Sequence, residues 1–186
     1  MKAEGFHFTH EQFVADFGKR NDEILRHRLG LDLSDEDMRR IAWVKEELYR
    51  ESVRTKGIEL LPGVEYWLQT LQANGWLQAL GTSAPRANIV AIFDVLGINT
   101  FFAAISSSED VTSGKPAPDV FLAAARKLEV EPENCVVIED APAGIEAGKR
   151  AGMKTIGVLT THAELQADIT VKSLLDLPRD YFERLF

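Results

Sequence analysis

The sequence predicts an α/β fold in which a parallel sheet is covered by helices and preceded by a helical module. Three observations lead there. From Leu61 onward, short apolar runs alternate with helical patterns, the signature of a parallel sheet with both faces covered. Before about Ile58 the pattern is helical throughout, with no strand. Polar residues interrupt the apolar runs at their carboxyl ends, where parallel sheets bind ligands.

The elements follow in order. Thr9 with Gln12 three residues on reads as a capping box, and Phe8 and Phe13 are spaced as its hydrophobic staple. That helix should stop at Gly18. Asn21 can cap a second short helix ending near Gly30. Ser34 with Asp37 opens a third, stapled by Leu33 and Met38. Met38, Ile41, Lys45 and Leu48 then fall on one face. Pro62-Gly63 starts a helix with Val64, Trp67, Leu68 and Leu71 on its apolar side, closed by Asn74-Gly75. A strand is expected over Trp76 to Leu80, then a helix carrying Ile89, Ile92, Phe93 and Leu96 and ended by Gly97. A strand over Phe102 to Ile105 and a helix over Pro118 to Leu128 come next. Val136 to Ile138 is a strand, Ala143 to Ala151 a helix, and Thr155 to Val158 and Ile169 to Val171 two more strands.

Composition narrows the function classes. The 186 residues are 45% hydrophobic and 27% charged, ordinary for a globular chain. A net charge of −8 argues against nucleic acid, whose binders show a basic face. No apolar run approaches the ~20 residues that span a membrane, and the opening MKAEGFHFTHEQF holds no apolar signal segment. The one cysteine, Cys135, lies in the apolar run CVVI and has no partner for an internal disulfide. The expected setting is the cytoplasm, and the oligomeric state stays open.

Three groups could carry chemistry. Thr82-Ser83 follows a strand, and alone it reads as a turn or helix cap. Lys115 lies in the loop GKPAPD, and alone it reads as a solvated lysine. Glu139-Asp140 ends the strand VVIED, and Asp140 alone could cap the next helix. Adjacent carboxylates at a buried strand end need a cation or hydrogen bonds to offset their repulsion. Taken together, these groups suit a phosphoryl group. Thr82 and the N–H groups after it can donate to phosphate oxygens, and Lys115 supplies a point charge. Glu139 and Asp140 suit Mg²⁺, which takes few protein carboxylates and keeps several waters.

PGVEYWLQTLQANGW, LGTSAPRAN, GKPAPDVFLAAARKL and CVVIEDAPAGIEAGKRAGMKTIGV resemble the second, third and fourth motifs of the haloacid dehalogenase-like hydrolases. They are most similar to the branch with β-phosphoglucomutase and the sugar-phosphate phosphatases. The resemblance covers nearly the whole chain. It implies a Rossmann-like core over residues 61–186 and a helical cap over residues 1–60. It makes Thr82 the phosphate ligand of the second motif, with Ser83 beside it, Lys115 the lysine of the third, and Glu139 and Asp140 the metal carboxylates of the fourth. GKRNDEIL and VKEELYR resemble cap segments that face the active site, which adds Arg20 and Lys45 as substrate-binding candidates beside the plainer reading of a solvated helix face. The implied reaction is that of a Mg²⁺-dependent phosphatase or phosphomutase acting on a small phosphorylated metabolite through an aspartyl phosphate.

One motif of the family is missing from the sequence. The first motif is an apolar strand ending in Asp-x-Asp-Gly, whose first Asp is the nucleophile. Here the sequence begins inside the cap pattern, and its one Asp-x-Asp, Asp35-Glu36-Asp37, opens a helix as dipole-favourable charge. The resemblance implies that the absent strand is the middle one, flanked by the strands ending at Thr82 and Asp140. Two further readings remain: a non-catalytic remnant binding a phosphorylated ligand or partner, and a metal-independent haloacid dehalogenase. The carboxylate pair argues against the second.

Overall fold

A computed structural model describes residues 9–16, 18–29 and 34–185. The helical module comprises α1 (His10–Asp16), α2 (Asn21–Leu29) and α3 (Asp35–Lys56). Two of the three predicted capping residues, Thr9 and Ser34, work as read. Thr9 N–H donates to Gln12 Oε1 at 2.9 Å, and Gln12 N–H returns to Thr9 Oγ1 at 3.1 Å. Ser34 Oγ accepts from Asp37 N–H at 3.1 Å. The two staples, with Phe8, Phe13 and Leu33, and the stop at Gly30 lie outside what is described.

Asn21 differs from expectation. It is the first residue of α2, and its amide turns away from the helix end to bond Glu46 Oε1 and accept from Lys45 Nζ, both at 2.5 Å. The face of α3 also differs. Met38 and Ile41 are buried, but Leu48 is 51% exposed. Past Ile41 the buried face runs through Glu46, Arg50 and Val53 because this half of α3 packs on α5 (Arg86–Leu96).

That seam is polar. Arg50 Nη1 donates to Asn88 Oδ1 at 2.7 Å, and Asn88 Nδ2 donates to Glu46. Burial pushes the Glu46 carboxyl up, but hydrogen bonds from Lys45, Asn21 and Asn88 outweigh it and hold the group below its ordinary value. Asn88 is 3% exposed and satisfies two charged side chains at once. Asn88→Ala is therefore expected to destabilise the protein by about 2–3 kcal/mol, since hydrogen bonds to charged groups in buried sites are the strong ones. Urea unfolding of the variant checks this; a change under about 0.5 kcal/mol, the surface-substitution range, would show that the seam is not tight.

The core begins with α4 (Val64–Ala73). Two parallel sheets follow in place of one. Strand β1 (Ala79–Gly81) pairs with β2 (Ala104–Ser106), with Leu80 opposite Ile105. Strand β3 (Val136–Glu139) pairs with β4 (Lys154–Val158), which pairs with β5 (Ile169–Val171). Helix α6 (Asp119–Leu128) covers β1 and β2, and α7 (Pro142–Arg150) covers β3 and β4. On the other face Trp67 and Leu71 of α4 pack with Ile156, Val158, Leu174 and Phe182. Trp67 Nε1 donates to the Leu174 carbonyl at 2.8 Å, which satisfies its one buried donor.

Two strands were drawn too early in sequence. Trp76 to Leu80 is a strand only from Ala79, because Trp76 N–H closes the turn after α4 onto Leu71 O. Phe102 is held before β2 by stacking on Phe93 at 5.4 Å between ring centroids.

Among the described residues no strand joins β1 to β3. Between them lies a cavity of ≈ 460 Å³ lined by apolar side chains that include Leu68, Leu80, Phe121, Val137, Ile138 and Met153. One edge of β1 and one edge of β3 are thus left without a β partner.

Candidate active site

The carboxyl ends of β1 and β3 are bridged by a buried lysine. Lys115 is 4% exposed, and its ammonium donates to Gly81 O at the end of β1 at 3.1 Å. It also pairs with the Glu139 carboxylate at the end of β3. The same ammonium lies 4.6 Å from the centre of the Phe121 ring, a cation–π contact. A solvated loop lysine is not what is observed.

Each strand end contributes its own turn. Thr82 N–H extends the β1–β2 ladder onto Ser106 O at 2.9 Å. Thr82 Oγ1 accepts from Ala84 N–H at 3.1 Å, and its own O–H donates to no described group. Ser83 is used differently: its hydroxyl donates to Gly18 O at 2.8 Å and so ties the turn between α1 and α2 to the core. Gly18 has φ +87°, and a Cβ there would lie 2.8 Å from Ala141 Cβ, so only glycine lets the module come this close.

Glu139 Oε2 accepts from the N–H groups of Asp140 at 3.1 Å and Ala141 at 3.2 Å. Its carboxyl rests on Gly144 of α7, where any Cβ would overlap it. Asp140 Oδ2 accepts from Thr160 Oγ1 at 2.7 Å. Helix α7 starts at Pro142 with Ala141 as its N-cap and no side-chain cap, so Asp140 does not cap it. His162 Nδ1 lies 3.3 Å from the Asp140 carbonyl. Thr160 and His162 were not singled out in the sequence; the signal was the polar run Thr160-Thr161-His162 directly after β4.

Arg20 and Lys45 bond to groups other than Lys115. Arg20 Nη1 donates to the carbonyls of Ser108 at 3.1 Å and Val111 at 2.9 Å. Lys45 stays in the seam with Asn21 and Glu46. Asp110 anchors the loop after β2. Lys127 first, then the N–H and hydroxyl of Ser107 and the Arg86 guanidinium, hold its carboxyl far below the usual carboxylate range. Beside Asp140 a cleft of ≈ 540 Å³ separates the module from the core, lined by Glu11, Val14, Ala15, Lys19, Pro142, Ala143 and His162.

Among the described residues no three His, Cys, Asp or Glu side chains gather as a metal cluster. The donor set is two carboxylates, one of them already engaged with Lys115 and two N–H groups. Such a set fits a hard cation that keeps most of its water. Among the described residues no helix is long and apolar enough to cross a membrane.

Residues 1–158 match the family described as haloacid dehalogenase-like hydrolase, and the chain belongs to that family. Several of its relatives are named as phosphatases or as a phosphoglucomutase. It is 40% identical over 119 residues to the β-phosphoglucomutase of Bacillus subtilis, covering 64% of this chain and 52% of that protein. It is 32% identical over 158 residues to the fructose-1-phosphate phosphatase YqaB of Escherichia coli, covering 83% of this chain and 80% of that one. It is 39% identical over 131 residues to a bifunctional riboflavin kinase/FMN phosphatase of Arabidopsis thaliana, covering 68% of this chain but 35% of the relative. Against several such relatives the chain thus spans about half their length or less. The solved β-phosphoglucomutase of Clostridium difficile superposes with a TM-score of 0.88 at 28% identity, over 99% of this chain and 84% of that one. The α/β fold with parallel strands is the fold of these neighbours.

Proposed function

We propose that this chain carries the phosphate- and metal-handling part of a Mg²⁺-dependent phosphatase or phosphomutase whose substrate is a small phosphorylated metabolite of the sugar-phosphate kind. The observation that carries this reading is the buried Lys115 ammonium spanning the carboxyl ends of β1 and β3, with Thr82 and Asp140 as the next residues at those ends. The family and the phosphatase and mutase relatives support it.

The roles follow from the chemistry. Thr82 O–H and the N–H groups after it donate to phosphate oxygens, and Lys115 neutralises their charge. Glu139 holds Lys115 in place and balances it. Asp140, steadied by Thr160, is the protein ligand for Mg²⁺, which when bound would neutralise phosphate charge. Residues 1–60 act as the cap that closes over the substrate and residues 61–186 as the core. The nucleophile is an aspartate on a strand that is not among these 186 residues and that fills the slot between β1 and β3. Its carboxylate oxygen bonds to phosphorus as the bond from phosphorus to the substrate oxygen breaks, and water or a second sugar oxygen then takes the phosphoryl group from the aspartyl phosphate. A cytoplasmic setting, with its phosphorylated metabolites, suits this chemistry.

A second reading is favoured by that same slot. Without a nucleophile the chain would bind a phosphorylated ligand and leave it unchanged. The metal role tests both readings. Titration calorimetry with MgCl₂ is expected to show weak binding that Asp140→Ala weakens at least tenfold. Unchanged affinity in the variant would remove Asp140 from the metal site.

A further inference from the structure

We propose that Arg20 is a positioning residue: it clamps the helical module onto the loop that presents Lys115 and so fixes the lysine. This inference rests on the phosphate-handling role of Lys115 proposed above.

The loop from Ser107 to Pro118 connects β2 to α6 and has no regular structure. Its first part is pinned to the core. Ser108 N–H donates to Ala84 O, and Asp110 is held by Ser107, Arg86 and Lys127. Its second part, Val111 to Gly114, leads directly into Lys115. Among the described residues, every long-range hydrogen bond given for that part comes from α2 and the residue before it. Arg20 Nη1 donates to Val111 O at 2.9 Å and to Thr112 O at 3.5 Å. Glu23 Oε1 accepts from Gly114 N–H at 3.3 Å. Arg20 also reaches Ser108 O at 3.1 Å, so one guanidinium gathers both ends of the 108–112 stretch.

The fit is tight. A Cβ on Gly114 would lie 2.5 Å from Arg20 Cγ and Cδ and 2.7 Å from Glu23 Oε1. Gly114 is therefore the seat of the Arg20 stem, and it is the residue before Lys115. Arg20 Nε is held by Asp22 Oδ1 at 3.1 Å, which aims the guanidinium at the carbonyls. The two N–H groups of Nη1 serve the Ser108 and Val111 carbonyls, with Thr112 O at the outer limit of reach, and the planar, always charged fork keeps them in fixed directions.

The test pairs hydrogen–deuterium exchange with phosphate binding. In the full chain, exchange over residues 108–115 is expected to rise tenfold or more in Arg20→Ala, with residues 34–56 unchanged. Inorganic phosphate binding in MgCl₂, read by calorimetry, is expected to weaken at least fivefold. Gly114→Ala keeps the Arg20 charge but unseats its stem, and it should reproduce both changes. Arg20→Lys should fall between wild type and Arg20→Ala. If Arg20→Ala weakens phosphate binding while exchange over 108–115 stays at the wild-type rate, Arg20 is a direct phosphate ligand and the clamp is wrong. If Gly114→Ala leaves both readouts unchanged, the clamp is also wrong. If the wild type binds no phosphate yet exchange rises in Arg20→Ala and Gly114→Ala, the role of Lys115 fails while the clamp stands.

Discussion

Supplying an apolar strand that ends in Asp-x-Asp-Gly, joined ahead of residue 1, is expected to raise the thermal midpoint by about 10–20 °C and to switch on Mg²⁺-dependent hydrolysis of an aryl phosphate. Both effects have one cause. Among the described residues the facing edges of β1 and β3 have no β partner, and they open on a cavity of ≈ 460 Å³ with apolar walls. A strand placed there would pair on both sides and bury its own apolar side chains. Buried hydrogen-bonding groups left unmade cost about 1–3 kcal/mol each, and whole domains are stable by only about 5–15 kcal/mol. A net gain near 5 kcal/mol, at about 2–4 °C per kcal/mol for a chain of this size, gives the expected shift. The strand end would also lie beside the Lys115 bridge, where a carboxylate meets both the lysine and the proposed metal. The comparison is the 186-residue chain against the extended one, by thermal melts and by turnover. Full turnover and an equally high midpoint in the short form would mean that another carboxylate is the nucleophile. Asp35 and Asp37 are poor candidates for that role. They open α3, Asp35 exposed and Asp37 half-buried, paired with Arg26, Arg40 and Ser34.

Local chemistry was legible where a few neighbouring residues decide the outcome. Thr9 and Ser34 cap their helices because the partners, Gln12 and Asp37, are three residues away. Gly97 ends α5 in the left-handed conformation for the same reason. Strand extents were less legible, because a strand is as long as its neighbour allows. Asn21 was misread because its partners Lys45 and Glu46 lie on another helix. Motif likeness marked Thr82, Lys115 and Asp140, but not what surrounds them. Thr160 meets Asp140 because β3 and β4 run parallel in register, Glu139 opposite Gly157. Arg20 meets Val111 across 91 positions of sequence, a contact no local pattern encodes. Its candidacy as a substrate contact rests on likeness alone, and the carbonyl contacts of its Nη1 are a further feature that likeness does not mark.

Lys115→Met is expected to destabilise the chain by about 3–5 kcal/mol and to abolish phosphate binding. The side chains of Lys115 and Glu139 are only 5% and 12% exposed, so solvent screens the pair little. Removing one partner of a buried pair strands the other charge, which is where the cost arises. Glu139 would keep the N–H groups of Asp140 and Ala141 but lose its only cation among the described residues. Lys115→Met combined with Glu139→Gln removes both charges, and it should recover much of the loss, giving a coupling of about 1–3 kcal/mol in a double-mutant cycle. Phosphate binding should not recover, because a neutral site offers the anion no charge. Stability regained without phosphate binding separates the two jobs of Lys115, holding β1 to β3 and meeting the ligand. Phosphate binding regained in the double variant would take Lys115 out of the site. Additive losses would show that the two side chains are not paired in solution, and the bridge across the strand ends would fall with them.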